Sequence, residues 1–452
     1  MGRLFCDEFP QGEAYTIPEL PLWATRLSVA ARRAGWEPHL VDLATHTGPY
    51  EAMPVPRMAE EALRFDSPVV ALSPFTANYE LAVEVAEAIR AQRPGTVVAV
   101  GGAHASELPQ PCLADGFDHV ATGRGEAALE HLLSGLGSGR PVEAGFPGLL
   151  SRGAGGAPGL PEDRSLYQSY WEAPADYGVI PAGYAMHYAR VYALLGCPYR
   201  CSFCADTLWI GMRPYQRDVS RLREEVFAIR ERFRPRALFV GDEVFTMKQA
   251  YAHEVAILLG EAGIPWFCQT RANLLARAGD PSLLRAMAEN GCRLINIGAE
   301  STDPAVLKGL DKRITDAQLV QACTNAKEAG LGVLTYWMIG APHETRATAR
   351  ATLDTIIGLF ERGLTDLVDY FICTPYPGTL IYKDPDRYEV TIDRKPWRLW
   401  REDIPSVMST ATLSAEAIYE LWLIGLEAIT AAMYNALDDR TRRVRAAIPS
   451  AH

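Results

Sequence analysis

The chain predicts an α/β protein built from two parallel-sheet units in series. Three observations carry this expectation. Residues 1–145 alternate strand-like and helix-like patterns. After a Gly- and Pro-rich stretch the alternation restarts near Tyr188 and runs for six further units. The strands of the second unit each run into a cluster of small and polar residues, as expected where chemistry gathers at the carboxyl edge of a parallel sheet.

In the first unit, residues 20–34 predict a helix ended by Gly35, and 38–43 and 68–73 predict strands. Residues 79–92 predict a helix with Leu81, Val85 and Ile89 along one face. Residues 96–100 read as a short buried strand entering Gly101-Gly102-Ala103-His104. A further strand, 118–121, enters Thr122-Gly123-Arg124-Gly125-Glu126 and then a helix. Glycines directly after strands let the backbone approach a flat or phosphate-bearing ligand at the sheet edge. Neither pair matches Gly-x-Gly-x-x-Gly at a first strand, which sets a dinucleotide aside. Residues 146–185 read as a linker, packed down by Tyr167, Tyr170, Trp171 and Tyr177.

The second unit predicts strands at 190–196, 237–240, 266–270, 293–297, 332–338 and 366–373. Helices are expected at 220–233, 249–263, 281–290, 315–329 and 345–362, three of them ending at Gly263, Gly330 and Gly363. Six βα units give a partial barrel. Its strand ends carry Gly241-Asp242-Glu243, Gln269-Thr270-Arg271, Gly298-Ala299-Glu300-Ser301, Gly340-Ala341-Pro342-His343-Glu344 and Cys373-Thr374-Pro375-Tyr376. Beyond Lys383 the chain turns mainly helical over 415–437 and ends in the basic run Arg440, Arg442, Arg443 and Arg445. Trp397 to Trp400 is expected to cap the substrate pocket.

With 452 residues the chain has ample interior for two or three domains, and 48% hydrophobic with 22% charged residues is a globular composition. A net charge of −11 disfavours a nucleic-acid duplex or an anionic membrane as partner. Nine cysteines, an odd number and mostly scattered, do not form a disulfide framework and point to a reducing cytoplasm. Met1 to Pro10 lacks the apolar core of a signal peptide. Residues 418–437, interrupted by Glu420, Glu427 and Asn435, read as an amphipathic core helix rather than a membrane span.

One cluster of cysteines remains. Leu194-Leu195-Gly196-Cys197-Pro198-Tyr199-Arg200-Cys201-Ser202-Phe203-Cys204 sets three of them at Cys-x3-Cys-x2-Cys spacing after an apolar strand. A short cysteine-rich loop lets several thiolates converge on a metal or cluster. Zinc takes four protein ligands, or three and a water. Three cysteines with no fourth nearby fit a four-iron cluster with one iron open, though a zinc loop or three core cysteines share the spacing.

With Phe203 before the last cysteine, the motif resembles that of the radical S-adenosylmethionine (SAM) enzymes. Upstream, Gly101-Gly102-x-His104 and Gly123-x-Gly125-Glu126, in that order, are similar to the cobalamin-binding domain that precedes many radical SAM modules. The resemblance extends over roughly residues 68–380 and is specific in combination. It implies a Rossmann-like cobalamin-binding domain (1–145), a linker (146–185), a radical SAM partial (β/α)6 barrel (186–382) and a mainly helical C-terminal region (383–452).

The implied cofactors are a 4Fe-4S cluster, SAM and cobalamin. Cys197, Cys201 and Cys204 would hold iron. Ser73, Thr76, Asn78, Gly101, Gly102, His104, Gly123, Gly125 and Glu126 would surround cobalamin. Asp242 or Glu243 would meet the SAM amine, Arg271 its carboxylate, Glu300 and Ser301 the amine or ribose, and Gly340 the adenine, with Gln269 in the same pocket. Cys373 and Tyr376 are candidates for catalysis. Cobalamin domains with a cobalt-ligating histidine carry Asp-x-His-x-x-Gly after the first strand. Here that loop, about residues 6–19, has no histidine, and Asp42 and His46 follow the second strand at the wrong spacing. The implied cofactor is base-off, without a histidine axial ligand.

The activity implied is methylation of an unactivated carbon, or of phosphorus, in a secondary-metabolite or amino-acid-derived substrate, through methylcobalamin and a deoxyadenosyl radical. A radical rearrangement or cyclisation without methyl transfer is a second reading. A non-catalytic corrinoid-binding or cluster-sensing protein is a third, disfavoured because a sensor needs no SAM pocket. The expected partners are a small-molecule or peptide substrate and an external electron donor such as flavodoxin or ferredoxin, with no nucleic acid and no membrane.

Overall fold

The computed structural model describes residues 21–41, 43, 53–139, 145–153, 164–181, 184, 188–205, 213–277 and 282–447. The loop at 6–19, Asp42, His46, most of the Gly-rich stretch near 154–160, and the side chains of Tyr167 and the terminal arginines lie outside these residues.

The first unit opens with α1 (Leu22–Arg33) and α2 (Val55–Leu63), then β1 (Val69–Leu72), α3 (Tyr79–Gln92) and β2 (Val97–Val100). The short helices α4 (Ala103–Glu107) and α5 (Pro109–Ala114) lead to β3 (His119–Ala121), α6 (Glu126–Gly137) and β4 (Leu149–Ser151). Strands run in the order β1-β2-β3-β4, the first three parallel and β4 antiparallel to β3. Val98, Val100, Val120 and Leu150 bury one core against Val85 and Ile89 of α3. Two expectations change. Residues 38–41 form no strand. Residues 149–151, expected in the linker, extend the sheet after a turn at Gly148 (φ +82°).

Beyond α7 (Arg164–Glu172), where Tyr170 and Trp171 are buried as expected, come β5 (Tyr188–Val191), β6 (Leu194–Leu195) and β7 (Tyr215–Gln216). Then follow α8 (Val219–Phe233), β8 (Ala237–Val240), α9 (Gln249–Ala262), β9 (Trp266–Arg271), α10 (Ala272–Ala276), α11 (Ser282–Glu289) and β10 (Cys292–Glu300). The barrel ends with α12 (Pro304–Gly309), α13 (Asp316–Glu328), β11 (Gly332–Ile339), α14 (Arg346–Glu361) and β12 (Leu367–Ile372). The six-stranded sheet has the order β12-β11-β10-β9-β8-β5 and every pair is parallel, a curled half-barrel.

Successive side chains of a strand point to opposite faces. On the convex face Leu238, Val240, Trp266, Cys268, Ile295, Ile297, Val333 and Trp337 are buried with the helices in one core. The concave face is mixed: Phe239 and Phe267 lie beside Gln269, Asn296, Tyr336 and Asp369. A parallel strand buried on both faces normally reads as a continuous apolar run. Amide, phenol and carboxylate side chains gather on the concave face and mark it as functional.

The C-terminal region continues through α15 (Leu380–Lys383) to a strand pair, β13 (Val390–Ile392) and β14 (Met408–Thr410), whose Val390 and Met408 pack on Met338, Cys373 and Ile381 at the mouth of the half-barrel. The last helix, α16 (Ala415–Ala447), seats Ile418, Trp422 and Ile429 in the main core, and the Trp422 indole donates to the Tyr370 carbonyl at 2.9 Å. Its opposite face leaves Leu423, Ile424 and Tyr434 exposed. The stretch Ala415–Asp438 is long and apolar enough by length and composition to cross a membrane, with 22% of its most apolar window buried in the fold. One face of the helix lies in the core, and the other exposes apolar side chains among Glu420, Glu427 and Asn435.

A buried charge triad docks the two units. Glu225 on α8 accepts from Arg26 of α1 and from Arg217 at 2.9 Å. Arg26 also donates to the carbonyls of Tyr170, Trp171 and Ala173.

Candidate active site

The cysteine loop leaves β6 at the mouth of the half-barrel. The expected strand 190–196 breaks between β5 and β6, and Asp242 explains the break. Its two carboxylate oxygens accept the amides of Ala193 (2.7 Å) and Leu194 (2.9 Å), replacing ladder bonds. Burial pushes this carboxyl up to about 7, against the pull of the two amides. Asp242 is therefore committed to backbone, which corrects its assignment to the SAM amine. Glu243 instead lies near enough for its charge to act on the Cys197 thiol.

Ser202, fully buried between the second and third cysteines, fastens the loop. Its amide donates to the Leu310 carbonyl at 2.9 Å, its hydroxyl to the Gly309 carbonyl at 2.9 Å, and its carbonyl accepts from Ile381. Cys197 and Cys204 stay partly exposed and Cys201 is buried. Burial pushes the Cys197 thiol up to about 11, opposed by its hydrogen bond to Tyr199 and by Arg271. Among the described residues no three His, Cys, Asp or Glu side chains converge tightly enough to hold a single metal ion. Three thiols in one loop can each take one corner of a cluster.

Arg271 ends β9 beside this loop. Its guanidinium donates to Cys201 Sγ at 3.2 Å and to the Lys312 carbonyl, and stacks 3.8 Å from the Tyr199 ring. Its Nε is buried without a partner. On the neighbouring strand, Glu300 holds an unusual left-handed backbone (φ +66°) and pairs with Lys312 at 2.5 Å, both side chains buried. That pair lies over Gly298, where an added Cβ would come within 2.5 Å of the Lys312 ammonium. Strained backbone at buried charge is a frequent companion of ligand sites. Ser301 departs from expectation: its hydroxyl faces Thr352 and receives the Asp303 amide, away from the mouth. Gln269 sits on the concave face, half-buried.

Gly340 (φ +79°) begins the loop after β11. Glu344, fully buried, accepts the amides of Gly340 and Ala341 and sets that loop. Burial pushes its carboxyl up to about 8. Cys373 and Tyr376 do not look reactive. Cys373 is packed with Met338 and Ile381, and burial pushes its thiol up to about 12. Burial and a hydrogen bond with Glu402 raise the Tyr376 phenol.

At the carboxyl edge of the first sheet, three loops are stitched together. The Ser106 hydroxyl donates to the Gly102 carbonyl at 2.7 Å and accepts from Gly123 at 2.9 Å. Gly102 (φ +91°) passes so close to Ser73 that a Cβ would lie 2.9 Å from its hydroxyl. Ser73, Phe75 and Asn78 are exposed along this edge, Phe75 at 75%. Gly101 and Gly125 complete the floor. His104 is buried, its Nδ1 3.2 Å from the Thr76 hydroxyl, its ring stacked on Tyr79 at 4.0 Å and met edge-on by Trp397 at 5.0 Å. Burial lowers it to about 4, so the ring is neutral. Trp397 therefore packs against the first unit beside its ligand edge. Glu126 is turned inward beside Arg124 and Arg26, its carboxyl raised by burial, which corrects its expected place at the ligand edge.

Ser202, Lys312 and Glu344 are the parts of the site that sequence reasoning missed. Ser202 lay inside the cysteine motif, where its burial was not legible. Lys312 stands 12 residues beyond Glu300 with no motif of its own.

The residues present suit the three expected groups: three thiols in one loop, an orphaned guanidinium nitrogen beside them, and a glycine cradle on the opposing sheet edge. Comparison with known proteins agrees. The B12 binding domain family matches residues 17–133 and the Radical SAM superfamily residues 191–356. An uncharacterized methyltransferase of Pyrococcus horikoshii is 28% identical over 374 residues, 79% of this chain and 77% of that protein. The hopanoid C-3 methylase of Methylococcus capsulatus is 24% identical over 426 residues, 89% of this chain and 76% of the other. Among solved structures, TsrM from Kitasatospora setae, a radical SAM methyltransferase with cobalamin and a [4Fe-4S] cluster bound, shares the fold with a TM-score of 0.68 at 17% identity. That match covers 92% of this chain and 86% of TsrM.

Fold and site define a B12-binding domain followed by a radical SAM domain. The chain belongs to the cobalamin-dependent radical SAM enzymes, with methyltransferases as its relatives, and its cofactors are a 4Fe-4S cluster, SAM and cobalamin.

Proposed function

We propose that the protein methylates an unactivated carbon of a small secondary-metabolite or amino-acid-derived substrate. One observation carries the reading: the segment that follows the half-barrel, residues 383–398, is bonded to the first unit beside its ligand edge. Contacts that span the two support it. Lys383 pairs with Glu107 at 3.1 Å, and Glu80 accepts the Trp397 amide at 3.1 Å and the Arg398 guanidinium at 3.2 Å.

When bound, the cluster with SAM supplies one-electron chemistry and cobalamin a transferable methyl group. The chain's own residues do the placing. Cys197, Cys201 and Cys204 would hold three irons. Arg271, already against Cys201, would turn its free Nε to the SAM carboxylate, with Glu243 for the amine and the Glu300–Lys312 pair for the ribose. The Gly340 loop, held by Glu344, would carry the adenine. Gly101, Gly102, Gly123 and Gly125 would let the corrin and its tail lie close. His104 is held by Thr76, Tyr79 and Trp397 and is neutral, which supports a base-off cofactor without a histidine ligand. A flavodoxin or ferredoxin in the cytoplasm would supply electrons.

The test is anaerobic purification with iron, sulfide and hydroxocobalamin, followed by metal counts and product analysis. About four irons and one cobalt per chain are expected. Substrate turnover should give methylated product with both S-adenosylhomocysteine and deoxyadenosine. Deoxyadenosine alone would favour a rearrangement, and a chain without cobalt would end the methyl-transfer reading.

A further inference from the structure

We propose that the substrate sits on the concave face of the half-barrel, directly below the mouth, and that Asp369 and Asn296 select it for a protonated amine. The inference rests on the assignment of the mouth to SAM and the cluster, and goes on to name the substrate's chemistry.

Strand register puts the groups together. Gly298 pairs with Tyr336 and Tyr336 with Asp369 across β10, β11 and β12, so the tyrosine and the aspartate share the concave face as lateral neighbours. Asn296, two residues before Gly298, shares that face and donates from Nδ2 to the Tyr336 hydroxyl at 2.7 Å. Its Oδ1 is buried with no partner. A buried acceptor without a donor is costly, and a ligand donor seated against it would remove that cost. Among the described residues none bonds to the half-buried Asp369 carboxylate. Burial holds that carboxyl above its usual range, so an ammonium seated against it would be welcomed as a counter-charge. The Tyr336 phenol is raised by burial and then by the Asp369 charge, which places the two groups within electrostatic reach.

What surrounds these acceptors describes the rest of the molecule. Phe239 and Phe267 stack at 4.7 Å and 12°, with Tyr188 edge-on to both, and form an aromatic floor on the same face. The concave face therefore sets the unpaired acceptors at one side and the stacked rings at the other, with the Arg190 guanidinium 4.7 Å over Phe239. It fits an amine attached to a planar or apolar body and offers nothing to an anion at Asp369.

The probe is phenethylamine, with 3-phenylpropionate as the anionic counterpart, titrated calorimetrically into anaerobically loaded holoenzyme with SAM present. Saturable binding of the amine and none of the carboxylate is expected. Asp369→Asn, nearly isosteric, should weaken the amine by roughly tenfold or more, the loss of one charge-assisted bond. Asn296→Asp should strengthen it. Iron, cobalt and deoxyadenosine are measured on the same samples. Failure to load cofactors would count against the proposed function. A fully loaded enzyme that binds neither probe, binds both equally, or ignores Asp369→Asn would overturn the amine pocket.

Discussion

Replacing Glu225 by alanine should loosen the docking of the two units. The carboxylate lies between Arg26 and Arg217, and all three side chains are no more than 3% exposed. Removing it leaves two guanidinium groups buried without their counter-charge, and breaking such a pair costs about 3–5 kcal/mol. Arg26 keeps three carbonyls and the Trp171 ring at 4.9 Å, and Arg217 keeps the Tyr192 carbonyl, which sets the expected loss near the low end, about 3 kcal/mol.

The pH dependence has a definite sign. Burial raises the Glu225 carboxyl, but Arg26 and Arg217 outweigh it and hold the group below its ordinary 4.5. A depressed carboxyl contributes stability above its unfolded value and loses it as pH falls through the folded one. The gap between wild type and Glu225→Ala should therefore be full at neutral pH and shrink below about pH 4. Urea unfolding followed by tryptophan fluorescence reads both. A gap under about 1 kcal/mol at neutral pH, typical of an exposed pair, or one that ignores acid, would refute the reasoning.

Alanine at Cys197, Cys201 and Cys204 together should remove iron and the cluster absorbance while cobalamin stays bound; surviving iron would contradict the loop assignment. Gly102→Val meets both a left-handed φ of +91° and the Ser73 hydroxyl, and should lower cobalamin content with iron unchanged. Burial lifts the Glu344 carboxyl from 4.5 to about 8, so the native state binds the extra proton between those values and its stability falls as pH rises through them. Glu344→Gln keeps an acceptor for Gly340 and Ala341 and should flatten that slope, seen in melting temperatures from pH 5 to 9. An unchanged slope would mean that another group titrates.

Helices were legible because their ends are written locally. Thr315 with Gln318 and Thr345 with Thr348 form capping boxes, and Asp218 caps α8, so those starts fall within a residue of expectation. The cysteine loop and the glycine-bearing edge were legible because spacing alone carries them. Orientation was not. Asp242 and Glu243 are adjacent carboxylates, and only the break between β5 and β6 shows that the first serves backbone. Ser301 and Glu126 bear the right chemistry but point into packing. The strand expected at 38–43 has the composition of one, and its described residues 38–41 have no ladder partner, whereas Leu149-Leu150 gained one from β3. Asn296 and Asp369 stood out only after strand register put them on one surface.

Ser202 has a consequence for the order in which the enzyme matures. Its side chain is tied to Gly309, 107 residues later in the chain, and its carbonyl to Ile381, later still. The cysteine loop is synthesised long before the segments that hold it. Until the chain has passed Ile381, the contacts that fasten the loop through Ser202 cannot all form. A stable cluster is therefore expected only once the segment around Ile381 has been made and has folded onto the loop. A ribosome-bound chain stalled before residue 381 should take up no stable cluster.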